Sequence, residues 1–263
     1  MKKFIKFLIV VLIIGGIGFG CYSYFFGNRE KIDAALSSVQ ITEETPFACR
    51  VNNGSVTITG TKDSWKGGKL EVPDKIQGYP VTQIGLAAFA GNEKIEEITI
   101  SDSVVEISPC AFLKCENLKS VKLPSKITKI GYKTFSGCIS LKQIAIPNTV
   151  TEIGNDAFNG CIVLSDVKFP SSLTKICEAA FYECVKLKTV NIPEGTLEIQ
   201  DRAFGFDGAL NSVSIPVSLT KIGYSAFSGC DKISKVIYPG TEEQWEMISV
   251  GEANEQLTRA LKF

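Results

Sequence analysis

The cysteines are the residues in this chain that are best suited to chemistry. The 263-residue sequence contains nine of them and not one histidine. A cysteine can serve as a nucleophile, a metal ligand or half of a disulfide. The absence of histidine removes both the commonest general base and the commonest metal ligand. The spacing of the cysteines therefore decides between reaction, metal binding, pairing and simple packing.

Five cysteines recur at intervals of 23 residues or twice that number, and this spacing favours packing. They are Cys115, Cys138, Cys161, Cys184 and Cys230. Neighbouring coils of a repeat structure lie roughly 5 Å apart, but side chains in such a column run parallel instead of facing one another. Metal motifs such as CxxC pairs are absent, so we expect buried free thiols, with disulfides or a metal site as open alternatives. The scattered Cys49, Cys110 and Cys177 carry no further signal.

Charged residues recur at the same interval, and their signs alternate. The series reads Gln83, Glu106, Lys129, Glu152, Lys175, Glu198, Lys221. Opposite charges on neighbouring strands stabilise the pairing, whereas adjacent acids would repel. A lysine between two acids neutralises them and does not raise their pKa as in a catalytic carboxylate pair. The sequence has no P-loop, Rossmann fingerprint, GxSxG elbow or zinc-protease motif, and we predict neither an enzyme nor a cofactor.

One 23-residue unit, repeated seven times without insertion or deletion between Val81 and Thr241, positions these residues. Its fourth residue is always isoleucine and its ninth is always phenylalanine. A fixed period of 20 to 50 residues indicates a solenoid, whose coils bury their apolar faces only against their neighbours. We predict a mainly β repeat solenoid with short turns or single helical coils. The inward places are the first, fourth, eighth, ninth, twelfth, fifteenth, eighteenth and twentieth.

The repeat unit resembles the leucine-rich repeat of the BspA-like family. The segment LKSVKLPSKITKIGYKTFSGC at 118–138 follows that family's pattern LxxLxLPxxLxxIGxxAFxxC, and the resemblance covers residues 47–263. The tail residues that look like the family's closing segment are Trp245, Ile248, Asn254, Leu257 and Ala260. The resemblance implies a leucine-rich-repeat solenoid. Members of the family are mostly surface-exposed or secreted bacterial proteins and some are adhesins, which implies a binding role at the cell surface.

Two units depart from the family pattern. The first carries Ser101 in place of proline, and the sixth carries Gln200, Phe206 and Asp207 where glycine, glycine and cysteine are usual. We therefore expect the turn of the sixth unit to be shaped differently from the others.

The remaining residues divide into flanking segments around the seven repeats at 81–241. We assign residues 1–26 to a signal or membrane anchor, 27–46 to a polar stalk, 47–80 to an N-terminal cap and 242–263 to a C-terminal cap. Within the N-terminal cap, Asn53-Gly54 lies between two strand-like runs and predicts a β-hairpin.

The first 26 residues have the layout of an export signal. A basic start, MKKFIK, precedes an apolar run from Phe7 to Phe19, and positive charge stays on the cytoplasmic side. Three outcomes are open: cleavage after Gly20, lipid attachment to Cys21, or retention as an anchor. Continued apolar residues favour the anchor, because about 20 suffice to span a bilayer. Each outcome places the repeats outside the cytoplasmic membrane, anchored to the cell surface or, after cleavage, secreted.

The outward strip best suited to recognition lies along the sixteenth, seventeenth and nineteenth places. Its lysine-rich middle comprises Lys119, Lys122, Lys142, Gln143, Asp166, Lys168, Lys188 and Asn191. Such a strip would suit an acidic protein or a glycan, although no aromatic row offers a platform for sugar stacking. The alternative is a solvated sheet face on which lysine blunts association. The equal numbers of acids and bases, 28 each, argue against a nucleic-acid partner.

A second candidate surface lies in the turns. Ile139, Ile162, Val163 and Val185 would mark a partner site if they form an exposed patch, and partial burial against neighbouring turns is the alternative. The sequence thus predicts a non-enzymatic cell-surface protein that binds a protein or glycan partner. A rigid, envelope-organising spacer without a ligand is the alternative function. The sequence determines neither the ligand nor the oligomeric state.

Overall fold

Each 23-residue unit forms one coil that contributes two short strands, and the coils stack through parallel strand pairs. The computed structural model describes residues 44–263. The predicted anchor, with Cys21, and the stalk up to residue 43 lie outside the described residues. The strand pairs confirm the predicted mainly β solenoid, and we number its coils 1 to 7 by repeat unit.

The elements follow one another in a regular alternation of longer and shorter strands. In chain order they are β1 (Phe47–Asn52), β2 (Ser55–Thr61), β3 (Gly68–Val72), β4 (Lys75–Ile76), β5 (Tyr79–Ile84), β6 (Ile95–Ile100), β7 (Glu106–Ile107), β8 (Ser120–Lys122), β9 (Lys129–Ile130), β10 (Gln143–Ala145), β11 (Glu152–Ile153), β12 (Asp166–Lys168), β13 (Lys175–Ile176), β14 (Thr189–Asn191), β15 (Glu198–Ile199), β16 (Ser212–Ser214), β17 (Lys221–Ile222), β18 (Lys235–Ile237), α1 (Glu242–Glu246), β19 (Ser249–Val250) and α2 (Glu255–Ala260).

The strands form two surfaces along the solenoid. Face A consists of β3, β6, β8, β10, β12, β14, β16 and β18, which within the repeats include the seventeenth to nineteenth places. Face B consists of β5, β7, β9, β11, β13, β15, β17 and β19, which within the repeats include the third and fourth places. Pairing on face B runs without a break from β9 to β19, while β7 pairs with β5.

The strand ladder of face A is interrupted twice, which the repeat pattern does not predict. Hydrogen-bonded pairing joins β3, β6 and β8, then β10 and β12, then β14, β16 and β18. The strands before the two interruptions carry Val121 and Val167 at the eighteenth place. These two side chains are half-buried, whereas the other five coils bury this place. The ladder therefore stops where the central side chain of the strand lies less deep in the core.

The turn that follows each face B strand forms a third ladder between coils. Backbone N–H groups at the seventh, ninth and eleventh places donate to carbonyls at the sixth, eighth and tenth places of the next coil, as from Phe135 to Ala157 at 2.8 Å. Every seventh and eleventh residue has a left-handed φ, between 50° and 75°. Arg202 (φ 55°) and Phe206 (φ 61°) in coil 6 follow the same geometry. The expectation of a differently shaped sixth turn is therefore wrong, because the ladder bonds fix the backbone whatever the side chain.

The core consists of columns of identical side chains. The ninth-place phenylalanine rings of neighbouring coils stack with centroids 5.1 to 5.4 Å apart. The eight predicted inward places are confirmed as the core places. Their half-buried exceptions are Ala88, Asn92, Val121, Val167, Phe169 and Ile233, and every other residue at these places is buried. Burial of apolar surface in these columns is the main stabilising term of the fold.

The N-terminal end of the solenoid is covered by the predicted hairpin. Strands β1 and β2 pair antiparallel around Asn53-Gly54, and both turn residues have a left-handed φ. Strand β2 then pairs with β5, so the hairpin extends the first coil of face B. Strand β3 does the same for face A, where Leu70 lies beside Ile98 of β6.

The C-terminal end is closed by α1, β19 and α2. Thr241 caps α1 through a capping box with Gln244, and β19 adds a last strand to β17. Asn254 precedes α2 but does not cap it. Its side chain reaches back into coil 7, where Oδ1 accepts from the Phe227 N–H at 3.0 Å and Nδ2 donates to the Gly223 carbonyl at 2.9 Å. The side-chain amide of Asn254 thus makes hydrogen bonds to coil 7 in place of those that a following coil would make.

Candidate functional site

Face A presents all eight predicted binding residues to solvent. The eighteenth place of each strand points toward the core, so the residues on either side point outward. Each of the eight side chains is exposed. The pairing of Gln143 with Asp166 and of Ala145 with Lys168 places equivalent positions of neighbouring coils side by side. The fold therefore collects residues from coils 2 to 5 on one surface.

The lysines of face A in coils 2 to 5 lie in two columns. Lys119, Lys142 and Lys188 occupy the sixteenth place, and Lys122 and Lys168 occupy the nineteenth. Lys119 contacts Glu96 of coil 1 with 2.6 Å between Nζ and Oε2, and this hydrogen bond and charge raise the pKa of Lys119. Within the described part of the chain, the other four lysines form no ion pair at 4.0 Å or less. Lys122 also interacts electrostatically with Asp102, but none of the four is held in an ion pair, so each can contact a partner.

Face B carries the alternating charges, and Glu198 pairs with the lysines on both sides of it. Glu198 of β15 lies between Lys175 at 3.1 Å and Lys221 at 3.2 Å. Burial by itself raises the pKa of Glu198, but the hydrogen bonds from the two lysines outweigh it, and the pKa is lowered. The register also places Glu152 beside Lys129 and Lys175. The alternation therefore sets the strand register, and face B holds no pair of carboxylates suited to acid–base chemistry.

The cysteine column is a structural hydrogen-bond ladder. None of the cysteines among residues 44–263 forms a disulfide, and all five in the column are buried. Each Sγ donates to the carbonyl of the ninth-place phenylalanine in the preceding coil at 2.9 to 3.4 Å. Burial raises the pKa of Cys115 and Cys161 to about 12. These thiols are neutral at physiological pH and are not nucleophiles.

A buried carboxyl group interrupts this column in coil 6. Asp207 is fully buried, its Oδ1 accepts from the Cys184 N–H at 2.7 Å, and its Oδ2 has no hydrogen-bond partner. Burial raises the pKa of Asp207 well above its usual range, against the opposing effect of the hydrogen bond from Cys184. The sequence predicts the burial of Asp207, because the twelfth place is inward, but it does not show that Oδ2 lacks a partner. Among residues 44–263, no three Cys, Asp or Glu side chains are grouped to hold a metal ion.

The turns carry a stripe of partly exposed apolar side chains. Ile139, Ile162 and Val185 are 37 to 40 % exposed, and Val163 is half-buried. Phe206 is 53 % exposed and makes an edge contact with Tyr182, with centroids 5.5 Å apart. The repeat pattern does not identify these two rings as part of the stripe, although their tenth and eleventh places adjoin it. The side chains are thus partly buried against their neighbours and partly open to solvent.

The repeat geometry agrees with a comparison against known families. The sequence model of the BspA type leucine rich repeat region matches six copies, over residues 82–205 and 128–248. This chain belongs to the BspA-type leucine-rich-repeat family. The resemblance that the sequence indicated is therefore confirmed. A search of the curated proteins finds no match.

The same solenoid occurs in solved structures of bacterial leucine-rich-repeat proteins. A Treponema pallidum leucine-rich-repeat protein is 23 % identical, with a TM-score of 0.54, over 85 % of this chain and 97 % of its own. A Bacteroides ovatus leucine-rich-repeat protein is 24 % identical, with a TM-score of 0.52, over 81 % and 76 %. The pneumococcal vaccine antigen PcpA is 17 % identical, with a TM-score of 0.51, over 75 % and 70 %. These similarities establish the fold alone.

None of the helices within residues 44–263 is long and apolar enough to cross a bilayer. The predicted export or anchor segment, residues 1–26, precedes these residues.

Proposed function

We propose that this BspA-type protein is a non-enzymatic binding protein of the bacterial cell surface, and that it binds a protein or glycan partner through face A. The observation that carries this function is the group of exposed lysines without ion pairs on coils 2 to 5. Repeat solenoids commonly use such extended strand surfaces for recognition. Face B is less suited, because its charges alternate in sign from strand to strand and Glu198 already pairs with Lys175 and Lys221.

The chemistry of the described residues supports a binding role over a catalytic one. The column thiols are neutral, and Glu198 of face B is paired with two lysines. The sequence has no histidine to act as a general base. Leucine-rich-repeat solenoids are typically scaffolds without catalysis of their own, so we infer that the chain works by binding.

The location at the cell surface is supported by the first 26 residues. Their basic start and apolar run suit export, with the repeats outside the cytoplasmic membrane. We propose that this segment is retained as an anchor, with lipid attachment at Cys21 or cleavage after Gly20 as the competing outcomes. Mass determination of the mature N-terminus decides among them: a chain that begins after Gly20 without a lipid would contradict the anchor.

The binding role is tested by capture from host-surface and cell-envelope extracts. Full-length protein in detergent is compared with a variant in which Lys122, Lys142 and Lys168 are each changed to Glu. We expect wild-type protein to retain a partner that the variant loses. The matched control changes Lys126, Lys232 and Lys262 to Glu, which are exposed lysines outside the candidate binding residues, and it should retain the partner.

Two results would contradict binding through face A. Equal capture by wild type and the face A variant would place the binding surface elsewhere. Failure of the wild-type protein to retain any specific partner would favour the rigid-spacer function instead.

A further inference from the structure

The lysines of face A alternate between the two columns from coil to coil. Coil 2 carries Lys119 and Lys122, coil 3 carries Lys142 at the sixteenth place, coil 4 carries Lys168 at the nineteenth, and coil 5 carries Lys188 at the sixteenth. Neighbouring coils are about 5 Å apart and three residues of strand span about 10 Å, so successive lysines beyond coil 2 are roughly 11 Å apart. At this spacing lysines in solvent repel one another weakly, and each can contact a separate anion.

The basic part of face A ends within one coil on either side. Coil 1 carries Glu96 and Glu97, and coil 6 carries only uncharged polar residues at the sixteenth, seventeenth and nineteenth places, namely Asn211, Ser212 and Ser214. The lysine strip, as we call the five face A lysines of coils 2 to 5, therefore measures about 15 Å from its first strand to its last. An extended polypeptide of about five residues covers this length.

The side chains between the lysine columns suit the groups of a polypeptide. Gln143, Thr189 and Asn191 are exposed and offer amide and hydroxyl groups that both donate and accept hydrogen bonds. The strip contains no arginine, the residue that binds phosphate in a bidentate manner, and no aromatic ring for stacking a sugar. Carboxylates carried on a peptide backbone fit this combination of groups better than a sugar or a phosphate polymer.

We propose that the lysine strip binds an extended acidic polypeptide segment that lies along the solenoid axis and crosses coils 2 to 5. This inference rests on the proposed binding role of face A and names the chemistry of its partner. The parallel register fixes the direction of the partner, because only a segment that crosses the strands meets lysines from four coils. A segment parallel to one strand would meet at most the two lysines of coil 2.

One acid within the strip gives the inference a sharp test. Asp166 is exposed at the seventeenth place of coil 4, between the columns of Lys142 and Lys168. Its carboxylate repels an acidic partner and attracts the lysines that the partner needs. Asparagine has almost the same shape and lacks the charge. A change of Asp166 to Asn should therefore tighten binding of an acidic segment, an effect that damage to the fold would not produce.

The experiment measures binding of a fluorescent oligoglutamate of about eight residues, long enough to cover the strip, by fluorescence anisotropy. The full-length protein in detergent is used at low ionic strength. We expect Lys122→Gln, Lys142→Gln and Lys168→Gln together to raise Kd by about tenfold, and Asp166→Asn to lower Kd by about twofold to threefold. Binding should weaken at high salt. The control variant, in which Lys126, Lys232 and Lys262 are changed to Gln, should have a Kd within about twofold of that of wild type.

Several outcomes would overturn the inference. An Asp166→Asn variant that binds oligoglutamate no better than wild type, or a control variant that weakens as much as the face A variant, contradicts recognition by this strip. Tighter binding of inorganic polyphosphate than of oligoglutamate contradicts a polypeptide partner. If oligoglutamate fails while the captured partner is still lost on charge reversal, the acidic segment is overturned and the binding role of face A stands.

Discussion

At the scale of single residues, coil 6 shows what happens when an aspartate replaces a thiol in the cysteine column. In the neighbouring coils a thiol donates to a phenylalanine carbonyl, as Cys184 does to Phe158 and Cys230 to Phe204. Asp207 occupies the same place with an Oδ2 that has no hydrogen-bond partner. A charged carboxylate in this position costs free energy, since nothing compensates its lost hydration. The protonated acid is the form that suits the column.

We predict that Asp207 makes stability depend on pH. Its pKa is raised in the folded protein, whereas an unfolded aspartate titrates near pH 3.9. The folded state therefore binds the proton more tightly, and the contribution of Asp207 to stability is present below about pH 4 and is lost as pH rises toward its folded pKa. Asp207→Cys restores the thiol. Its advantage over wild type should be small at pH 4 and on the order of 1 to 3 kcal/mol at pH 8.

Urea unfolding of both proteins across this pH range measures the difference. The control is Asp231→Asn, which changes an exposed acid of coil 7. Its free energy of unfolding should differ little from that of wild type at both pH 4 and pH 8. A free-energy difference between Asp207→Cys and wild type that is the same at pH 4 and pH 8 would contradict the titration of Asp207.

The eleventh place offers a second residue-scale prediction. Glu183 is exposed and has a left-handed φ of 60°, a conformation that costs a side chain about 1 kcal/mol but costs glycine little. We expect Glu183→Gly to stabilise the protein by about 0.5 to 1 kcal/mol in urea unfolding. Glu183→Ala is the matched control, because it removes the side chain but keeps the strained backbone. If Glu183→Gly and Glu183→Ala have equal free energies of unfolding, relief of backbone strain is not the cause of any gain in stability.

At the scale of elements, the solenoid depends on how its ends are closed. Each coil satisfies the turn N–H groups of the coil before it, so coil 7 would leave such groups unpaired and buried. The segment between β19 and α2 supplies the missing partners, partly through backbone atoms such as the Glu252 carbonyl and partly through Asn254. The C-terminal cap is therefore a hydrogen-bonded continuation of the repeat without its sequence.

We predict that Asn254→Ala opens the last coil. Asn254 is 3 % exposed, and its loss leaves the Phe227 N–H without a partner and the Gly223 carbonyl with only the Ala226 N–H at 3.4 Å. The cost should be about 2 to 4 kcal/mol. Hydrogen exchange at the Phe227 amide should accelerate strongly, while the Phe135 amide in coil 3 changes little. Asn211→Ala, at an exposed asparagine of coil 6, serves as the control. Uniform acceleration in all coils would contradict a local role.

Much of the element structure follows from the sequence because it depends on side-chain type. The invariant Ile130 and Phe135 identify core places, the alternation around Glu152 identifies paired strands, and Asn53-Gly54 identifies the hairpin. The backbone features do not follow from residue types. The seventh place has a left-handed φ in every coil although no glycine occupies it. The ladder of backbone hydrogen bonds between neighbouring coils imposes this conformation. For the same reason the sixth turn keeps its shape despite Phe206.

The candidate site is predictable only in outline. Residue types and the period indicate that Lys122 and Lys168 point outward, and the structure places them on the exposed side of face A. The two breaks in the face A ladder have no counterpart in the residues that face solvent, and they depend on how deeply Val121 and Val167 lie in the core. Pairing of Lys119 with Glu96 also depends on side-chain conformation and not on spacing alone.

At the scale of the whole molecule, the two faces divide structure from recognition. Face B uses its charges to hold the coils in register, the core columns and the turn ladder join them, and the caps close both ends. Face A keeps four exposed lysines of coils 2 to 5 without ion pairs. These four lysines lie on neighbouring coils of one surface, and there we place the function of the protein.

The most direct test of this account is lysine footprinting of the full-length protein. Acetylation of each lysine is measured by mass spectrometry with and without the extract fraction that wild-type protein retains. We predict that Lys122, Lys142, Lys168 and Lys188 become several-fold less reactive when the partner is bound, while Lys126, Lys232 and Lys262 do not change. Protection confined to the second group, or protection of both groups to the same extent, would contradict recognition through face A.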